Sequence, residues 1–466
     1  MTTETVRTAR SAGSTPLAPG GFERLMSVDE ALERLLLVVT APLPGEPVTP
    51  LGALGRVVAE AVLAATSLPP WDNSAMDGYA VRAADTVAAR DDEPVELRVI
   101  GEVRAGFAGT QSVQTGMALR IATGAPVPPG ADAVVPVEAT TPIDDDGRRG
   151  PRGREAAGRL PAACLVHEPV PIGGSIRPAA SDLIRGQTII AAGTVVTPLA
   201  VALLAGAGIE QLLVHRRPRI AVLATGDEVR APGEPLGPAG IPDANRPGLL
   251  AQVAATGGEP IDLGVATDRL DDVLSRLRAG LELGADAIVV SGGVSVGPFD
   301  VVRTAFAELG RIDLWRVALQ PGKPFAFGTV IGKRTAGHGE SATLLFGLPG
   351  NPVSSMVTFE VFVRPALRRL AGHSMLHRPL DRAVLLHAAT KSRGRRAFLR
   401  VGVERDASGQ PVRDADGNLQ ARLAGGQGSH VLSALASTEA LAIVPEAMDA
   451  APTGTVVDLM WLDPIA

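Results

Sequence analysis

Arg219-Ile220-Ala221-Val222-Leu223-Ala224-Thr225-Gly226-Asp227-Glu228 is the stretch that decides the fold of this 466-residue chain. Its first half is a short unbroken apolar run, as expected of a strand buried on both faces. Its second half turns polar at once, and ligands bind at such strand ends in open α/β sheets. The rhythm continues downstream. Spacing predicts helices over 245–255, 270–283 and 301–309, strands over 260–264 and 287–290, strands near 314–318 and 344–346, and a long helix over 352–370. This alternation implies a doubly wound, mostly parallel sheet in a three-layer α/β domain over 216–373. The polar stretch 332–341 reads as a hairpin loop between neighbouring strands.

The flanks read differently. Residues 1–21 are rich in Thr, Ser, Gly and Pro and are expected to be a disordered tail; no apolar h-region marks a signal peptide. Ser27 and Glu30 form a capping-box pattern, and Leu32, Leu35, Leu36 and Val39 follow at helical spacing. A second apolar helix is expected over 198–207. The two helices suggest an elongated helical N-terminal domain from 22–59 and 172–215. Between them, 60–171 alternates in short runs split by Pro and Gly, a β-rich inserted domain. Its acidic-then-basic segment 144–154 reads as a solvated loop. Past Gly372, strand-like runs at 383–387 and 398–403 predict a small β-barrel or sandwich over 380–466.

Composition narrows the function. Hydrophobic residues make up 45% and charged residues 20%, as in ordinary globular proteins. A net charge of −6 and 3% aromatics argue against nucleic acid as a partner. One cysteine, Cys164, excludes an internal disulfide and a cysteine-rich metal site and fits a cytoplasmic location. No apolar run is long enough for a membrane span. There is no HExxH, Walker A or nucleophile-elbow pattern.

The candidate chemistry gathers at strand ends. Asp227 and Glu228 follow the first strand, Asp268 the second, and Asp300 the glycine-rich loop after the third. Carboxylates without nearby His or Cys favour Mg²⁺. For any one of them taken alone, Asp268 above all, a helix cap is the better reading; their shared location favours a site. The loop Ser291-Gly292-Gly293-Val294-Ser295 is either an anion cradle of bare amides or a tight turn. Asn351 is expected to cap the long helix, with Pro352 in its first position and Ser354 adding a hydroxyl. Lys323 lies between Gly322 and Pro324 at a strand start, with Arg316 nearby; together they form a candidate oxyanion pocket. Arg400 on a strand and Ser429 on a turn are further donors, although a strand arginine is more often surface than site.

The chain resembles the molybdopterin molybdenumtransferases, the MoeA and gephyrin E-domain family, over 22–466. Six motifs carry the likeness: Asp72-Asn73-Ser74-Ala75-Met76-Asp77-Gly78-Tyr79-Ala80, Ile121-Ala122-Thr123-Gly124-Ala125-Pro126, Thr225-Gly226-Asp227-Glu228, Ser291-Gly292-Gly293-Val294-Ser295, Pro321-Gly322-Lys323-Pro324 and Leu348-Pro349-Gly350-Asn351-Pro352-Val353-Ser354. The resemblance implies insertion of molybdate into adenylylated molybdopterin with release of AMP, helped by Mg²⁺ at Asp268 and Asp300. It implies that Lys323, Arg400, Ser429 and Ser354 hold molybdate, and that the Gly292–Gly293 loop and the helix N-terminus bind phosphate or pterin. It also implies a homodimer, with Asp77 and Thr123 reaching the other subunit's site, and an adenylyltransferase and molybdoenzyme chaperones as partners. Two departures stand out: Gln320 where relatives often carry lysine, and Ala180-Ser181-Asp182 where Gly-Glu-Asp is usual. A pterin adenylyltransferase or a dimeric scaffold is the alternative reading.

Overall fold

The structure is a computed structural model that describes residues 25–154, 159–293, 301–333 and 340–462. The chain divides into two compact units. One is formed by Leu43–Arg216; the other joins the described residues up to Pro42 to those from Arg217 onward.

In the larger unit, the predicted alternation produces a six-stranded sheet. Its order is Glu259–Ala266, Arg219–Thr225, Ala287–Ser291, Glu340–Leu348, Pro324–Lys333, Arg311–Arg316. The first four strands are parallel, and the last two add an antiparallel edge. The central run Ile220–Thr225 is buried throughout, which is why it carries no alternation in sequence. Leu270–Glu282 covers the sheet through Val273, Leu274 and Leu277, and Val301–Leu309 through Val302, Ala305 and Phe306. The antiparallel pairing of Pro324–Lys333 with Glu340–Leu348 makes the expected hairpin. The expected long helix is three pieces in sequence: Pro352–Thr358, a π-helical turn Phe359–Val363, and Arg364–Leu370.

The C-terminal residues form a barrel. Strands Arg396–Val403, Leu419–Leu423, Leu380–Leu385, Val456–Trp461 and Ala440–Val444 pair in that order, and pairing of the last with the first closes the ring. Leu319–Gln320 adds to this sheet beside Arg396–Ala397, tying the barrel to the α/β layer. The helix Val28–Val38 also belongs to this unit. Asp29 accepts two hydrogen bonds of 2.7 Å from Arg396, and Arg369 donates to the Leu36 carbonyl. Ser27 caps the helix by accepting from the Glu30 N–H at 3.1 Å. Glu30 does not return the favour; it pairs with Arg34 one turn on.

In the unit Leu43–Arg216, helical character is confined to Pro198–Gly206, capped by Thr197, and short single turns. Proline and glycine spaced through residues 42–55 leave ladders in place of helix, such as Gly45–Val48 against Leu212–His215. The inserted region is a six-stranded sheet around Gly78–Val81, whose four residues are all buried. Gly78 has no substitute there, because a Cβ would lie 2.0 Å from the Val135 carbonyl oxygen. Among the described residues no helix is long and apolar enough to cross a membrane.

Candidate active site

A polar cleft opens over the carboxyl ends of the parallel strands, where the chain reverses its winding. One compartment, of about 870 Å³, is lined by Glu228, Asn245, Asp268, Gly292, Gly293 and His430 among others. A second, of about 600 Å³, is lined by Gln320, Lys323, Pro324, Ser354, Arg395 and Ser429 among others. Gly293, Gly350 and Asn351 border both compartments, so a single elongated ligand can run from one to the other.

The acidic compartment is built on a pair of turns that clasp each other. The Asp227 N–H donates to Asp268 Oδ2 at 3.3 Å, and the Asp268 N–H donates to Asp227 Oδ1 at 3.1 Å. Asp268 therefore does not cap the following helix; Asp272 takes the Thr267 N–H and hydroxyl, both at 2.9 Å, and holds that turn. Asp227 braces Asp268 and is not itself in the cleft lining, whereas Asp268 and Glu228 are. No group of three His, Cys, Asp or Glu side chains close enough to hold a metal occurs among the described residues. Two hard carboxylates at a cleft mouth still fit Mg²⁺, which takes one or two carboxylates and fills its octahedron from water and substrate phosphate. Asp300 and Ser295 lie outside the described residues.

The glycine loop is half cradle and half ladder. The Gly292 N–H continues the strand pairing by donating to the Leu348 carbonyl at 3.1 Å, so it is not free to meet an anion. Both glycines have positive φ, 102° and 63°, and Gly293 remains at the junction of the two compartments.

Asn351 stands at the N-cap position but makes no capping bond. Its Nδ2 reaches across to the barrel and donates to Ser429 Oγ at 3.1 Å. The Val353 N–H at the helix start donates to the Ser429 carbonyl at 3.3 Å. One donor of the helix N-terminus is thus taken by the barrel loop, and Ser429 lines the cleft. Ser354 is 4% exposed and lies in the lining beside Lys323.

Arg400 is wholly buried and lines neither compartment. Its Nη2 donates to the carbonyls of Gly426 and Gly428, while Gln427 closes on its backbone through both amide atoms. Burial holds its guanidinium below the usual arginine range. Its place is beneath the loop that carries Ser429, whose Gly426 and Gly428 carbonyls it holds. Arg316 ends its strand opposite Pro324 and is also absent from the lining.

Two lining residues escape sequence reasoning. Asn245 opens a helix, yet its Nδ2 donates to Ser291 Oγ and to the Gly350 carbonyl, each at 2.7 Å, fixing the cleft floor. Its Oδ1 is buried without a partner. Arg395 sits in a loop of four basic residues within six, and nothing local marks which of them faces the cleft.

Asp77 and Thr123 lie in the Leu43–Arg216 unit. Asp77 Oδ1 accepts from the Thr123 N–H at 2.7 Å and its hydroxyl at 2.8 Å. These bonds hold the Asp77 carboxyl below its ordinary value. Two motifs far apart in sequence are therefore one rigid, exposed carboxylate turn.

Comparisons with known proteins cover the same ground. Residues 26–208 match the MoeA N-terminal region (domain I and II), 221–369 the probable molybdopterin binding domain, and 382–462 the MoeA C-terminal region (domain IV). Molybdopterin molybdenumtransferase 2 of Mycobacterium tuberculosis is 37% identical over 417 residues, covering 86% of this chain and 91% of its own. The molybdopterin molybdenumtransferase of Haemophilus influenzae is 30% identical, with 93% and 98% covered. Two solved structures of the molybdopterin biosynthesis MoeA protein from Pyrococcus horikoshii superpose with TM-scores of 0.73 and 0.68 at 29% and 28% identity, covering 95% and 94% of this chain and 100% of each.

Proposed function

This chain belongs to the molybdopterin molybdenumtransferase family, and from that premise we propose that its cleft inserts molybdate into adenylylated molybdopterin and releases AMP. The observation that carries the reading is the pairing of an acidic compartment with a cationic one across Gly293, Gly350 and Asn351. An adenylylated substrate has a phosphate to be managed on one side, and a small dianion must be delivered from the other.

In this reading Asp268, braced by Asp227 and joined by Glu228, faces the phosphate. A Mg²⁺ held by Asp268, with Asp300 as the second carboxylate, would neutralise charge on the departing AMP. Gly293 and Asn245 seat the pterin end on a floor pinned by Ser291. Lys323, Ser354 and Ser429 hold molybdate through charge-assisted and hydroxyl hydrogen bonds. Arg400 acts through the loop beneath which it lies. The Asp77–Thr123 turn presents an exposed, hydrogen-bonded carboxylate. A homodimer in which that turn completes the cleft of a second copy gives it a role.

A test separates this from a pterin adenylyltransferase. The purified protein is given ATP and molybdopterin in one reaction, and adenylylated molybdopterin with molybdate in another. Turnover only in the second is expected. Transfer of AMP from ATP in the first, without the second, would overturn the assignment.

A further inference from the structure

The cationic compartment contains a second positive group that no motif assigns. Arg395 lines it together with Lys323 and Ser354, and no Asp or Glu is found among its described lining residues. The basic run at 391–396 offers four candidates, and three are occupied. Arg396 is held by Asp29 and Glu446, Arg393 pairs with Asp449, and Lys391 donates to the Ser392 carbonyl. The side chain of Arg395 has no hydrogen-bond or ion-pair partner among the described residues, and the same holds for Lys323. Two unneutralised cations facing one small compartment repel each other unless an anion lies between them.

The position of Arg395 is set from outside its own loop. Gln320 Oε1 accepts the Ser392 N–H at 2.6 Å. The Arg395 N–H closes the turn onto the Ser392 carbonyl at 3.4 Å, and the Arg396 N–H is fixed to the Ala318 carbonyl at 2.7 Å. Gln320 itself is anchored by its strand pairing beside Ala397. The loop is therefore clasped at both ends, with Arg395 between the two clasps.

We propose that Arg395 is a direct oxyanion-binding residue of this site, and that Gln320 is a positioning residue that acts through Ser392 to aim it. This rests on the reading of the compartment as the molybdate site. A neutral Gln320 thereby contributes geometry, while the charge comes from Arg395, whose planar fork suits a tetrahedral oxyanion.

The experiment is calorimetric titration of the full-length protein with sodium molybdate. Arg395→Gln should weaken binding about tenfold or more, as loss of a charged hydrogen-bond donor implies, with the melting temperature unchanged. Arg395→Lys should recover part of the loss. Gln320→Ala should weaken binding in the wild-type background and have no further effect once Arg395 is glutamine, because the two act as one unit. Wild-type binding with an unchanged Arg395→Gln variant would overturn the assignment of Arg395 alone. Equal effects of Gln320→Ala in both backgrounds would overturn the clasp. Failure of the wild-type protein to bind molybdate would overturn both this inference and the underlying reading of the compartment.

Discussion

Replacing Gly292 by alanine should damage the fold at the cleft, while the same change at Gly350, a few ångströms away, should not. Gly292 has φ of 102°, a conformation that side chains rarely adopt, at a cost of about 1–3 kcal/mol. A Cβ there would lie 2.6 Å from the Thr225 carbonyl oxygen and 2.7 Å from its hydroxyl. Thr225 cannot easily retreat, because it pairs with Ala266 on one side while Ala224 pairs with Ser291 on the other. Forcing the methyl in adds about 1–3 kcal/mol of overpacking, so the total loss should be about 2–6 kcal/mol. At Gly350 the nearest atom to a Cβ is the Gly292 Cα at 3.7 Å, an ordinary contact. Gly350→Ala should stay within about 0.5 kcal/mol of the parent. A chain of several domains need not unfold in one step. The suitable assay is therefore hydrogen exchange of the amides of Leu223–Thr225 and Val289–Ser291. Equal loss in both variants, or a loss under about 1 kcal/mol in Gly292→Ala, would refute the reasoning.

Three further outcomes are expected. Glu360 is 7% exposed and accepts from Gln252 at 3.0 Å and from Arg378 at 3.0 and 3.3 Å, with Arg364 at 3.8 Å. Glu360→Gln strands two guanidinium groups and should cost about 3 kcal/mol, read by calorimetric melting; an unchanged melt would contradict it. Ala180 has φ of 58°, in the left-handed region that favours glycine. Relief of about 1–2 kcal/mol of left-handed strain, less the added flexibility of glycine, makes Ala180→Gly stabilising by up to about 1 kcal/mol; a lower melting temperature would sink this. Asp77 has its folded pKa depressed by Thr123. Its contribution to stability is present above the unfolded carboxyl value of about 3.9 and is lost as pH falls through the folded value. Thr123→Val should move the Asp77 titration, followed by NMR, back upward; no movement would remove the hydroxyl from the account.

Local signals proved sufficient for elements and insufficient for partners. The helices Asn245–Ala255 and Val301–Leu309 and the buried strand at 219 are legible because apolar spacing and the polar breaks beside them are local properties. The helix after Asn351 is legible as one rod, but the π-helical turn at Phe359–Val363 is not, since it follows tertiary packing around buried Glu360 and Phe362. Asn351 has the sequence of a cap, yet its side chain makes no capping bond and instead donates through Nδ2 to a barrel hydroxyl 78 residues away. Gly292 looks like an open amide, and its N–H is consumed by a strand that is distant in sequence. Arg400 and Arg395 sit in one basic segment; the first is covered by the carbonyls of the loop 425–428, while the second is set toward the cleft by Gln320 and Ala318, and all of these are distant in sequence.

The central claim is metal insertion at this cleft. Its most direct test is AMP release from adenylylated molybdopterin by the purified protein in the presence of Mg²⁺, with and without molybdate. The account predicts release that depends on molybdate and is abolished by Asp268→Asn in a protein that still folds. Nucleotide that binds and is never released, with or without molybdate, would contradict it.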